Sequence, residues 1–86
     1  MTSELDARLL GDQYGYKVTN IFGEIHIKTK CEEWYFKPSK EKTRLMHQNT
    51  RMQKHGEYHE QWKRECSTKE LFQYIHNHER DRYGIE

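Results

Sequence analysis

Ser67–Arg80 reads STKELFQYIHNHER, and this stretch decides what the rest of the chain must be. Ser67 and Glu70 match the S-x-x-E capping box, in which each side chain satisfies a backbone N–H that the first helical turn leaves unpaired. Leu71, Tyr74, Ile75 and His78 then recur at i, i+3, i+4 and i+7, which places them on one helical face, and Phe72 widens that face. Gly84 supplies a stop, with residues 81–86 as a frayed tail. An amphipathic helix of this length is not stable alone in water and must lie on something apolar. Everything before it therefore has to supply a sheet.

Upstream of the helix the apolar period is two. Glu57–Lys63 (EYHEQWK) reads as a strand, Arg51–Gly56 as a basic turn and Thr43–Asn49 (TRLMHQN) as another strand. Pro38 and the surrounding KPSKEK run cannot continue a central strand and read as a loop. Glu33–Lys37 contains Trp34, Tyr35 and Phe36, whose rings should alternate between faces, with Trp34 and Phe36 in the core. Residues 14–19 and 24–30 complete the set, joined by a tight hairpin around Gly23. At the start, Ser3 caps a short helix to Leu10, which Gly11 should end, and Leu5, Leu9 and Leu10 offer it a contact stripe. The expectation is an α+β fold in one domain, 1–86. Four to five antiparallel strands form a meander, with the C-terminal helix on one face and a short helix in the N-terminal arm, residues 1–12.

Composition sets limits on this fold. Leu, Ile, Val and Phe contribute 14 of 86 residues, a content that borders on disorder. Against that, the net charge is only +1 and 13% of residues are aromatic, so a few large rings replace the missing aliphatics. A homodimer sharing so thin a core is an open alternative. The chain contains no apolar run long enough for a membrane span or a signal-peptide core, and its opening MTSELDARLL carries acids where a secretory leader carries Lys or Arg. Cys31 and Cys66 form no CxxC pair and read as free thiols of a cytoplasmic protein.

Charge is unevenly placed. Residues 37–64 hold eight Lys and Arg against three Glu, a local excess of +5, and the remainder carries −4. Such an excess can hold phosphates, because each neutralised phosphate releases counterions. Tyr58 and Trp62 are interleaved with these cations and offer stacking surfaces for unpaired bases. The candidate contact residues are Arg44, His47, Asn49, Arg51, Lys54, Tyr58, His59, Gln61, Trp62 and Lys63. The partner is nucleic acid or, on the same surface, a host protein that this chain inhibits or adapts, since an interface needs few aromatic and Arg anchors. An ordinary solvated basic face weighs about equally with either.

Two tripeptides, His47-Gln48-Asn49 and His59-Glu60-Gln61, repeat a pattern. On strands, residues two apart share a face, so a hairpin of the two segments would gather His47, Asn49, His59 and Gln61 together. The plainer reading is that these histidines hydrogen-bond to neighbours or water. A third class, a metal- or histidine-dependent phosphodiesterase, would need these histidines, a helix ligand such as His76 or His78, and carboxylates, for which Glu57 and Glu60 are the nearest. No close pair of cysteines completes a structural zinc set, and glycine-rich phosphate loops and nucleophile elbows are absent. No cofactor or metal is expected, and no catalytic residue is assigned.

The run W-Y-F (Trp34, Tyr35, Phe36), L-x-H-x-N (Leu45, His47, Asn49), Y-H-x-Q (Tyr58, His59, Gln61) and Y-I-x-x-H (Tyr74, Ile75, His78) resembles small uncharacterised accessory proteins of low-GC Gram-positive bacteria and their phages or plasmids. The resemblance spans roughly residues 34–78 and implies no particular activity. It implies a context: compact proteins of mobile elements that work by binding a host protein or nucleic acid.

Overall fold

Ser3 opens the first helix by accepting the Asp6 amide on its hydroxyl, and α1 runs Glu4–Tyr14. The computed structural model describes residues 1–48 and 58–84. Five strands follow, β1 (Lys17–Ile21), β2 (Glu24–Lys28), β3 (Glu33–Phe36), β4 (Lys42–Gln48) and β5 (His59–Glu65), and then α2 (Thr68–Tyr83). The strands form one antiparallel sheet in chain order, a meander. Fold class and strand order are those expected from the sequence.

Both helices pack on one face of this sheet. Ala7 of α1 and Leu71, Phe72 and Ile75 of α2 close over Ile25, Ile27, Trp34, Phe36 and Leu45, all fully buried. Strand alternation sends Trp34 and Phe36 inward and Tyr35 outward, as the sequence implies. The other face of the sheet has no helix on it among the described residues. Burying about 25 cal/mol per Å² of apolar surface, the three large rings Trp34, Phe36 and Phe72 carry much of the core.

The N-terminal helix departs from expectation in two ways. Gly11 does not stop it; α1 continues to Gly15, which takes the left-handed cap conformation (φ 76°) and donates its N–H to the Gly11 carbonyl. Gly11 faces the sheet, where a Cβ would sit 2.4 Å from Val18 Cγ2, so the absent side chain lets helix and strand close up. For that reason β1 begins at Lys17 rather than Tyr14, which belongs to the helix. Nor do Leu5 and Leu9 make the contact stripe: they are 68% and 55% exposed, and Ala7 with Gly11 turns inward instead.

The β1–β2 hairpin pairs Ile21 with Glu24 across a two-residue turn in which Phe22 (φ 52°) and Gly23 (φ 85°) both have positive φ. That is the twist-matched turn of tight hairpins, and Gly23 suits it. Phe22 does not, and its ring is 99% exposed.

Tyr16 joins β1 to the helices through stacked rings with Tyr14 and Phe72. Burial, with smaller contributions from the charges of Glu79, Tyr14 and Cys31, pushes its phenol up to about 12. Between the ordinary value of 10.0 and 12 the unfolded chain loses this proton while the folded one keeps it. Stability contributed by Tyr16 is therefore full below pH 10 and lost as pH rises through that window. Allowing for its partial exposure, the loss is of the order of 1–2 kcal/mol. Tyr16 should ionise near pH 12 in an absorbance titration, and Tyr16→Phe should remove that phase and flatten the alkaline decline in stability. A titration in which all phenols ionise together would refute this.

Candidate functional site

Strands β4 and β5 lie side by side, pairing Arg44 with Lys63, Leu45 with Trp62, Met46 with Glu60 and His47 with His59. Between Leu45 and Met46 the register shifts by a bulge that leaves Gln61 as the extra residue. Strand alternation divides the residues read from the sequence as one patch between two faces, and the bulge brings Trp62 onto the face of His59. Arg44, Tyr58 and Lys63 are on the open face, whereas His47, His59, Gln61 and Trp62 turn to the helix side. Asn49, Arg51 and Lys54 lie outside the described residues, as does the basic turn expected at 51–56. The sharing of one face by His47, His59 and Gln61 is retained, but not as a polar surface. His47 is 1% exposed, Gln61 donates to the Tyr74 hydroxyl at 2.7 Å, and the Trp62 ring meets that of Tyr74 under the Arg64 guanidinium, 4.2 Å from its centroid.

On the open face, Tyr35 stacks with His26 at 4.9 Å and meets Tyr58 edge-on at 4.9 Å, and Tyr58 also meets His26 at 6.2 Å. Three rings, from β2, from β3 and from the residue just before β5, thus form one cluster. Burial, then the charge of Glu24 for Tyr35 and of Glu33 for Tyr58, holds both phenols above their ordinary value, so both are neutral donors at physiological pH. Beside the cluster is an open concavity of about 460 Å³ whose lining includes Tyr35, Lys37, Lys42, Arg44 and Lys63, with Glu24 its one acid. Arg44 is held by Glu60 at 2.8 Å.

The helix side holds a second constellation. The β2–β3 turn is built on Thr29: its Oγ1 accepts the amides of Cys31 and Glu32 at 3.1 and 3.0 Å and donates to Glu79 Oε2 at 2.5 Å. The turn sets Glu32 under β4 with its carboxyl wholly buried. His47 Nε2 and Tyr83 Oη hydrogen-bond to its two oxygens, His78 Nε2 lies 4.0 Å from Oε1, and Arg82 Nε lies 3.7 Å from Oε2. Burial alone would raise the Glu32 carboxyl, but the hydrogen bonds from His47 and Tyr83 and the nearby His47 and His78 outweigh it and hold it below the ordinary value. His47 is wedged by ring contacts, stacked on Trp34 at 4.1 Å and edge-on to His78 at 5.3 Å, and its Nδ1 is 3.2 Å from His59 Nε2. Burial pushes His78 below the ordinary imidazole range, with the Glu32 charge offsetting only part of that. Glu79, also buried, accepts Trp34 Nε1 at 3.0 Å, and burial pushes its carboxyl up.

Sequence reasoning weighed His47 and His78 but missed Glu32, Glu79 and Tyr83. Of the acids it named as nearest, Glu60 points to the open face and Glu57 is outside the described residues. A signal for Glu79 existed, since it continues the apolar stripe four residues after Ile75, where an acid needs a buried partner. For Glu32 there was none, because its place depends on a turn closed by a threonine hydroxyl. Cys66 is buried, and burial raises its thiol above the ordinary value, as fits an unreactive thiol.

Comparison with family models, curated proteins and solved structures finds no match to this chain. No helix among the described residues is long and apolar enough to cross a membrane.

Proposed function

We propose that this domain is a small non-enzymatic accessory module that binds single-stranded nucleic acid, through the open sheet face that includes part of segment 37–64. One observation carries the reading: the His26–Tyr35–Tyr58 ring cluster lies beside a concavity bearing Lys37, Lys42, Arg44 and Lys63. Rings offer sequence-tolerant stacking to unpaired bases, and cations at a spacing of one strand can track a phosphate backbone. An open antiparallel sheet presents both without rearrangement. A mobile-element accessory role, implied by the resemblance of residues 34–78, agrees with such a partner.

Labelled single-stranded DNA and RNA should bind in fluorescence anisotropy at about 50 mM salt. Tyr58→Ala should weaken binding by about 5- to 100-fold, the loss of one stacked base. Lys42→Ala with Lys63→Ala should reduce the slope of log K against log salt by about 1.4, two cations at about 0.7 each. No binding to either polymer at that salt retires the reading.

A protein partner is the second reading, and Phe22 favours it. A bulky apolar ring held fully exposed at a positive-φ position costs stability and earns nothing inside the domain. A nuclease-resistant complex lost in Phe22→Ser, with oligonucleotide binding absent, would transfer the function to that surface.

A further inference from the structure

We infer that Glu32, His47 and His78 form a binding site for one divalent transition-metal ion of the zinc class. The three come from three separate elements, the β2–β3 turn, β4 and α2, and their ligand atoms lie within 4.8 Å of one another. Two imidazole nitrogens and one carboxylate oxygen are a borderline donor set, which suits Zn²⁺ and Co²⁺ and disfavours the oxygen-seeking Mg²⁺ and Ca²⁺. Zinc needs ligands at about 2.0–2.2 Å, so binding would draw His78 inward and open the His47–Glu32 contact to admit the ion between them.

Independent features point to an ion here rather than to a self-contained ion pair. His78 Nε2 is buried and has no hydrogen-bond partner among the described residues, though it faces the carboxylate 4.0 Å away. An unpaired buried nitrogen is costly, and coordination is the interaction that its lone pair suits. The outer contacts also match those that orient metal ligands. His47 Nδ1 is engaged by His59, so the ion would take the place of the proton that Nε2 shares with Glu32 Oε1, and Tyr83 donates to the carboxylate oxygen turned away from the histidines. Arg82 approaches that same far oxygen, its side chain 40% exposed, so its charge is partly solvated. The Glu32 charge stands against it. Three protein ligands leave a fourth position for water, the arrangement of an open rather than a closed zinc site.

The site is independent of the open sheet face, so it stands or falls separately from nucleic-acid binding. The test is to strip the full chain with a chelator and titrate it with Co²⁺, and then with Zn²⁺. Saturable uptake of one Co²⁺ per chain, with visible d–d absorption that Zn²⁺ bleaches, is expected. His78→Ala and Glu32→Gln should each lose that signal by at least tenfold in affinity, while His76→Ala keeps it. Zinc loading of the unsubstituted protein should move the Nε2 resonances of two of its six histidines in long-range imidazole spectra, a readout that needs no variant to fold. Absence of saturable uptake overturns the site, as does equal weakening by His76→Ala or a shift confined to other histidines.

Discussion

Glu32→Ala is expected to lower the unfolding free energy by about 3–5 kcal/mol, measured by urea unfolding with a chelator present so that metal plays no part. The carboxyl is fully buried and receives His47 and Tyr83. Removing it leaves the imidazole and the phenol facing a void, and each buried donor without an acceptor costs about 1–3 kcal/mol. In a domain of this size that shift corresponds to a fall in melting temperature of the order of 15–30 °C. Glu32→Gln keeps an acceptor oxygen for one donor and should cost roughly half as much. A penalty under about 1 kcal/mol for the alanine variant would mean that the cluster is not a structural keystone.

Trp34→Ala is expected to cost a similar amount, about 3–5 kcal/mol, by a different route. This ring is fully buried, stacks on His47 at 4.1 Å, meets Tyr74 and His78 edge-on, and donates to Glu79. Truncation opens a cavity at the centre of the sheet and removes the Trp34 donor to the Glu79 carboxyl, leaving that of Thr29. Trp34→Phe separates the two effects: it keeps most of the volume and loses the N–H, so its cost should fall to about 1–3 kcal/mol. Circular dichroism follows both variants, since Trp34 is itself one of two tryptophan reporters. If the phenylalanine variant were as damaged as the alanine variant, the hydrogen bond to Glu79 rather than packing would dominate. Both substitutions take a large share of the total stability of a domain this small.

The two variants bear on function in the same way. Neither touches Tyr35, Tyr58, Lys42 or Lys63, so whatever population stays folded should bind oligonucleotide as the parent does. Loss of binding in proportion to unfolding is therefore expected, and loss beyond it would indicate that the helix-side cluster communicates with the open face through β3 and β4.

What the sequence determined by itself was local and periodic. The Ser67–Glu70 capping box is present as read, with both reciprocal hydrogen bonds, and Gly84 caps α2 in the left-handed conformation. Period-two alternation placed four to five strands in a meander, of which the structure has five, and sorted Trp34 and Phe36 from Tyr35. These features depend on neighbours a few residues apart, whose geometry a helix or strand fixes. Gly11 shows the limit: read along the chain it is a helix stop, but the approach of Val18 makes it a packing residue inside the helix. The tertiary structure alone decided which polar residues meet. A single bulged residue in β5 moves Trp62 to the face of His59 and Gln61, away from Tyr58, where unbroken alternation would have left it. Glu32, His47, His78 and Tyr83 converge across 51 residues of chain because a threonine-closed turn, a central strand and a helix end at the same depth. Periodicity carries no information about such depth; it is set by how the layers pack.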